Sequence, residues 1–272
     1  MSEYYLGIDV GSLSCDAVLV DGSGQPLAWT VVPTGARNLE SIERARREVL
    51  AAAGVGPEAV EALVSTGYGR ERVPDKTAAV TEITCHARGI GSLHPGCRLL
   101  IDIGGQDSKA IRLGRDGRVL DFAMNDKCAA GTGRFLEAMA RALEVEVAEL
   151  GDLDPRDGDE LTLSSMCTVF AESEVVSLLA EGTAIPRIVG GLHRAIANRT
   201  RALARRVADD FASLEVAMSG GVARNRGVVH ALSRALGCDI FVPPEPDIVG
   251  ALGAALIARE RHQQAADSEV SS

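Results

Sequence analysis

Asn125-Asp126-Lys127-Cys128-Ala129-Ala130-Gly131-Thr132-Gly133-Arg134-Phe135-Leu136-Glu137 sets one cysteine ahead of a turn of small residues. Beyond the turn, Phe135, Leu136, Met139, Ala140 and Leu143 recur at helical spacing. The turn is expected to present several backbone N–H groups at a helix N-terminus, where phosphate and thiolate are both stabilised. One short segment is therefore placed to touch a nucleotide and a redox centre together, and coupling of the two is the working expectation.

The chain opens on Tyr4-Tyr5-Leu6-Gly7-Ile8-Asp9-Val10-Gly11-Ser12, a strand with an acidic residue at its end and a glycine bend after it. Strands at Ala17–Val20 and Leu27–Val32, joined by Asp21-Gly22-Ser23-Gly24, complete a hairpin meander. A helix with Leu39, Ile42, Ala45, Val49 and Leu50 on one face stops at Gly54, a strand follows at Val60–Ser65, and Thr81–Ile90 reads as helix. Pro95-Gly96 marks a break. Then the opening pattern returns. Arg98–Ile103 is a buried strand, Asp102-Ile103-Gly104-Gly105-Gln106-Asp107 echoes Asp9-Val10-Gly11-Ser12, and strands Lys109–Leu113 and Val119–Met124 form a second hairpin. A repeat at this distance indicates a duplicated α/β domain and not a solenoid. The expected division is an N-terminal lobe over residues 1–96, a C-terminal lobe over 97–262 and a flexible polar tail over 263–272.

Taken alone, Asp9 reads first as a turn-capping aspartate and second as a Mg²⁺-directed carboxylate. Two glycine turns with acidic strand ends in equivalent positions favour the second reading, a polyphosphate held between two carboxylates that orient Mg²⁺. A third strand–glycine turn runs from Glu215–Met218 into Ser219-Gly220-Gly221-Val222-Ala223-Arg224-Asn225. It reads either as a strand-to-helix corner or as a close approach to a nucleoside. A long amphipathic helix is expected over Pro186–Asp210, with a further helix at Val228–Leu236, a strand at Ile240–Val242 and a closing helix at Ile248–Arg259. The Asp-rich stretch from Gly151 to Glu160 reads as a solvated loop.

There are six cysteines and no C-x-x-C pair. Cys15, Cys85, Cys97 and Cys238 read as small buried hydrophobes. Cys167 lies in Leu163-Ser164-Ser165-Met166-Cys167-Thr168-Val169-Phe170-Ala171-Glu172-Ser173-Glu174, between a short strand and a helix, in a setting like that of Cys128. A helix N-terminus favours the thiolate that ligates metal. A cubane iron–sulfur cluster takes four thiolates, which a two-fold dimer supplies with two from each chain. On the residues alone, buried structural cysteines stand ahead of that reading.

Net charge is −10 with no long basic run, which argues against nucleic acid as partner. No apolar run reaches the roughly 20 residues of a membrane span, and the first apolar run contains Asp9 and has no basic leader. A cytoplasmic protein is expected. A P-loop is excluded by the lack of G-x-x-x-x-G-K-[ST], and Gly131-Thr132-Gly133 lacks the third glycine and the strand context of a dinucleotide fingerprint.

At these residues the chain closely resembles the activator (component A, or activase) of 2-hydroxyacyl-CoA dehydratases, within the BadF/BadG/BcrA/BcrD-type activator ATPases that also include the ATPase subunits of benzoyl-CoA reductase. The resemblance extends from Gly7–Ser12 to Gly250–Ala255 and is most specific at Asp102–Asp107, Asn125–Glu137 and Cys167–Val175. It implies an actin/hexokinase-like (ASKHA) α/β fold of two lobes around ATP–Mg²⁺, and a homodimer carrying one [4Fe-4S] cluster on its axis. Cys128 and Cys167 match the cluster ligands. Asp9, Gly11, Ser12, Asp102, Gly104, Gly105, Gln106 and Asp107 match the phosphate and Mg²⁺ segments. Among these, Asp9, Asp102 and Gln106 are the candidate catalytic residues, with Asp9 and Asp102 reaching Mg²⁺ through water. Gly220 and Gly221 match the adenosine segment, and Gly131, Thr132 and Gly133 link cluster to nucleotide. The chain departs from the pattern at positions 13 and 16, where the family usually has Thr and Lys and this sequence has Leu13 and Asp16. A cation beside the phosphates is thereby lost, while the second turn keeps Lys109.

The implied function is ATP-driven electron transfer. A ferredoxin or flavodoxin loads the cluster, and nucleotide-dependent conformers pass one low-potential electron to the dehydratase (component D). The alternatives are the same role for a benzoyl-CoA-type reductase and, in another class, a small-molecule kinase of the same fold without a cluster.

Overall fold

The computed structural model describes residues 3–126, 128–155, 161–163 and 167–270. Lys127, Ser164, Ser165, Met166, the end of the acidic stretch at 156–160 and the last two residues of the expected tail lie outside the described residues. The chain divides into two compact units, one of residues 1–96, 114–119 and 247–272, the other of residues 97–113 and 120–246.

The first unit begins with the antiparallel meander β1 (Tyr4–Val10), β2 (Ser14–Asp21) and β3 (Pro26–Pro33). Helix α1 (Asn38–Ala53) crosses over to β4 (Val60–Thr66), which runs parallel to β1, and β5 (Ala78–Ala79) and α2 (Glu82–Leu93) follow. The sheet order is β3-β2-β1-β4-β5. Both faces are covered, so β1 is apolar almost throughout. Leu6, Ile8 and Val10 face α1 with Ile42, Ala45 and Val49, while Tyr5, Val18 and Val64 pack with α2 and the C-terminal helix. Asp9 shares the period-2 face of Tyr5 and Gly7 and is buried on the second side.

The second unit repeats this plan. Strands β6 (Leu99–Ile103), β7 (Ser108–Leu113) and β8 (Val119–Asn125) lead to α3 (Gly133–Ala142), α4 (Leu150–Leu153), α5 (Thr168–Ala180) and α6 (Ile185–Ala204). Strand β9 (Val216–Ser219), α7 (Arg226–Leu236) and β10 (Ile240–Phe241) complete it. Its sheet order, β10-β9-β6-β7-β8, is that of the first unit read from the other edge, with β6 antiparallel to β7 and parallel to β9. Phe135, Leu136 and Met139 of α3 share one core with Ala171 and Val175 of α5 and with Ile188, Leu192 and Ile196 of α6.

The end of the chain differs from the expected division. Helix α8 (Val249–Val270) does not close the second lobe and does not stop at Arg259; it packs on β1, β4 and α2 of the first unit and continues through the polar stretch expected to be a flexible tail. Its small residues are the reason. A side chain at Gly7 would fall on the Ala251 carbonyl, and one at Gly253 on the Cys85 carbonyl, so the backbones of α8 and of its neighbours β1 and α2 meet at a distance only glycine allows. Helix α6 ends at Ala204, short of the expected Asp210. The acidic stretch begins inside the one-turn α4, where Gly151 is buried and Asp152 is exposed, and not in a loop.

Candidate functional site

In the second unit the candidate residues converge. Asp102, last but one in β6, is register-paired with Lys109 of β7 on one side and with Ser219 of β9 on the other. All three are buried. Lys109 Nζ lies 3.2 Å from Asp102 Oδ2 and 2.6 Å from Asp107 Oδ2, and Ser219 Oγ donates to Asp102 Oδ1 at 2.7 Å. The Asp102 carboxylate is thus held on both oxygens, which suits a charge that orients a hydrated cation better than one that strips it. The Gly104 amide donates to the Asp107 carbonyl at 3.0 Å and closes the turn, on which Gln106 stands exposed. Gly220 has φ +84°, and a Cβ there would fall on the Ile103 carbonyl oxygen. Glycine therefore brings the third turn against the end of β6. Beyond Gly221, an open cavity of about 680 Å³ is lined by Arg224, Arg226, His230, Ser233 and Pro243.

The segment Cys128–Gly133 is built onto this turn. Thr132 Oγ1 donates to the Gly105 carbonyl at 3.0 Å and the Ala129 carbonyl at 2.7 Å. The amides of Gly133 and Arg134 donate to the carbonyls of Gly104 and Gly105, both at 2.9 Å. This revises the expectation that the first amides of α3 meet phosphate directly. They are given instead to the carbonyls of the Gly104–Gly105 turn. Gly131 has φ +87°, and a Cβ on it would press on the Arg199 side chain.

In the first unit Asp9 occupies the place of Asp102, paired across β2 with Asp16 and across β4 with Thr66. Both Asp9 and Asp16 are buried. Ser14 Oγ donates to Asp16 Oδ2 at 3.1 Å, while Asp16 Oδ1 and Thr66 Oγ1 are buried without a hydrogen-bonding nitrogen or oxygen among the described residues. Burial first, and then the Asp9 charge, push the Asp16 carboxyl well above the usual carboxylate range. The Gly11 amide donates to the Ser14 carbonyl at 2.9 Å, which closes the bend carrying Ser12. Gly67, with φ +85°, follows Thr66 as Gly220 follows Ser219, and a Cβ on it would fall on Asp9 Oδ1.

Cys15, Cys85 and Cys97 are buried, and Cys238 is partly exposed. Burial pushes the thiols of Cys85 and Cys97 up to about 12 and that of Cys15 higher still, and it raises Cys238 as well. Cys128 and Cys167 are partly exposed. Cys167 is the N-cap of α5, and its carbonyl accepts the Ala171 amide at 3.0 Å. Asn125 Nδ2 donates to the Cys128 carbonyl at 3.1 Å. Helices α3 and α5 pack against each other, so the two cysteine-bearing segments share one core.

Thr66, Gly67 and Ser219 were not singled out from the sequence, and Lys109 was noted without its two partners. The signal that finds them is the shared seven-residue spacing, Asp9 to Asp16 and Asp102 to Lys109, together with the last residue of the parallel strand in each unit.

Two units of matching topology, each with an acidic strand end beside a glycine turn, define an ATPase of the actin/hexokinase-like class. A glucokinase from Streptomyces griseus shares the fold alone, with a TM-score of 0.57 at 16% identity over 94% of this chain and 99% of that one. Residues 6–258 match the BadF/BadG/BcrA/BcrD ATPase family, and the chain belongs to it. It is 46% identical to an activator of lactoyl-CoA dehydratase from Anaerotignum propionicum, over 96% of this chain and 99% of that one. The solved activator of the 2-hydroxyisocaproyl-CoA dehydratase from Clostridium difficile, with bound ADPNP, has a TM-score of 0.91 at 41% identity over 97% of each chain.

Proposed function

We propose that the protein is an ATP-driven activator that supplies a low-potential electron to a 2-hydroxyacyl-CoA dehydratase. The observation that carries the reading is the set of hydrogen bonds from Thr132, Gly133 and Arg134 to the carbonyls of Gly104 and Gly105. Any shift of the phosphate turn on exchange of ATP for ADP pulls on the backbone five residues from Cys128. A nucleotide alters such a protein only by binding two conformers with different affinity, and this coupling of turn to helix start is what the two conformers would differ in.

In this reading the chain's own groups act as follows. Asp9 and Asp102 orient hydrated Mg²⁺. Gly11, Ser12, Gly104, Gly105 and Asp107 receive the phosphates, and Gln106 positions the attacking water. Gly220 and Gly221 admit the adenosine. Cys128 and Cys167 would supply two thiolates of a [4Fe-4S] cluster, with the same pair of a second copy, and such a cluster would supply one-electron transfer at low potential. The donor set fits. Both cysteines are partly exposed and stand just before helices that share one core, and α5 presents Val169, Phe170 and Val176 as exposed apolar side chains, a face suited to a homodimer. A ferredoxin or flavodoxin is the donor and the dehydratase the acceptor. No helix among the described residues is long and apolar enough to cross a membrane, and the proposed location is the cytoplasm.

The test is iron and acid-labile sulfide per chain after strictly anaerobic purification, for wild type and Cys128→Ala. About two irons per chain, the share of one four-iron cluster in a dimer, are expected in the wild type and lost in the variant. An iron-free wild type that still hydrolyses ATP overturns electron transfer and moves the protein towards the kinases that share its fold.

A further inference from the structure

We propose that His193 is a positioning residue that ties the Gly220–Gly221 turn, assigned above to adenosine, to the chain leading into Cys167. This rests on the nucleotide reading and adds to it a second path from nucleotide to cysteine. The first path joins the Gly104–Gly105 turn to the segment of Cys128 through Thr132. The second joins Asn225, at the end of the Ser219–Asn225 turn, to Asp154 through one buried imidazole.

His193 lies on α6 and is fully buried. Its proton is placed by Asn225. That side chain caps α7, and its Oδ1 accepts the Val228 amide at 3.0 Å. A backbone amide only donates, so the oxygen of Asn225 is on that side and Nδ2 points at His193 Nε2, 3.2 Å away. Nδ2 also only donates, so Nε2 accepts and the ring proton sits on Nδ1. From there it is donated to Asp154 Oδ2 at 2.7 Å. Glycine makes room for this arrangement. A Cβ on Gly227, in the first turn of α7, would fall on the imidazole, and one on Gly151 of α4 would crowd Asn225 Oδ1 and the Arg226 amide. A buried polar group costs free energy unless its bonds are made, and an apolar side chain would fill the same place in this core without that risk. What the imidazole adds is a fixed geometry between Asp154 and Asn225.

Each end of this chain of bonds leads to a functional segment. At one end Asn225 closes the glycine turn. Its amide donates to the Val222 carbonyl and the Ala223 amide donates to the Gly220 carbonyl, both at 3.0 Å. A nucleotide that moves Gly220 therefore moves Asn225. At the other end α6 holds the stretch before Cys167. Asp154 is the C-cap of α4. Arg194, the residue after His193, donates from Nη2 to the Leu161 carbonyl at 3.1 Å. Leu163 is buried against Gly191 of α6, in the core that α5 shares.

The experiment is hydrogen exchange read by mass spectrometry on the full chain, without nucleotide and at saturating ADP, with ADP binding followed by calorimetry on the same samples. Wild type is compared with two variants. His193→Asn keeps an amide towards Asp154 but stops short of Asn225, and Asn225→Ser keeps a capping hydroxyl for α7 but loses the bond to the ring. In the wild type ADP is expected to slow exchange about fivefold or more, both at residues 133–136 of α3 and at residues 171–175 of α5. In both variants the slowing at α3 should persist while that at α5 falls below about twofold. A loss of structure alone would quicken exchange in both segments with and without ADP, and that outcome overturns the proposal. A wild type in which ADP slows α3 but not α5 overturns it whether or not the variants fold, and so does a folded variant that keeps the full effect at α5. In those two cases the nucleotide reading stands. A wild type that binds no ADP sinks that reading, and this inference with it.

Discussion

The two hairpins share strand order, register and the place of the central aspartate, yet they carry opposite charge arrangements. Around Asp102 a buried lysine and a serine satisfy both oxygens, and the lysine also holds Asp107. Around Asp9 a second buried aspartate stands where the lysine would be, with one oxygen left unpartnered among the described residues. The backbone of this fold therefore tolerates either charge at the position seven residues after the strand-end acid. The consequence falls on protonation, since the Lys109 ammonium lies on Asp102 while burial and the Asp9 charge raise the Asp16 carboxyl.

The comparison is broken most severely at Lys109. Replacing it in Lys109→Met leaves buried Asp102 and partly exposed Asp107 without their ammonium, and removing one partner of a buried pair costs about 3–5 kcal/mol. Denaturant unfolding is expected to show a loss of that size for the second unit. A loss under about 1 kcal/mol would mean that the ammonium is not what settles that row.

Next are the paired glycines. Gly67 and Gly220 have φ of +85° and +84°, and both abut the central aspartate of their unit. Alanine at either position incurs left-handed strain of about 1–3 kcal/mol plus the overlap. Gly67→Ala and Gly220→Ala are both expected to destabilise by at least about 2 kcal/mol and to weaken ADP binding. If one is harmless, the two turns are not functional equivalents.

The smallest effect is one of sign. Burial and Asp9 raise the Asp16 carboxyl in the fold. A carboxyl whose folded pKa lies above its unfolded value, about 3.9, carries no penalty below that value, and the penalty grows as pH rises through the folded pKa. In EDTA, Asp16→Asn is therefore expected to melt higher than wild type at pH 7.5, by roughly 2–4 °C per kcal/mol relieved, with the gain shrinking towards pH 4. A variant that melts lower in EDTA at pH 7.5 would show that Asp16 is stabilising as a charge.

Much of this was legible before any coordinates. The strand–acid–glycine repeat follows from period-2 apolar runs and turn residues, and the observed strands at Tyr4–Val10 and Leu99–Ile103 lie where those patterns put them. The glycine stop of α1 and the start of α2 after Thr81 were legible too. The closing helix was misread because its polar end carries no apolar stripe. Helix formation there needs only continuation of a started helix, and its attachment to the first unit depends on glycine contacts with β1 and α2, far earlier in sequence.

Sequence by itself determined the duplicated α/β plan, the family, the acidic strand ends, and the two cysteines set before helices. Those properties rest on neighbours along the chain, where propensity and spacing act. Only the tertiary structure decided that Asp9 faces Asp16 while Asp102 faces Lys109, that Thr132 reaches Gly105 across 27 residues, and that three cysteines are too buried to ionise readily. Strand register and burial are cooperative outcomes of packing distant segments, and the charge that a buried side chain meets is set by that packing and not by its place in the chain.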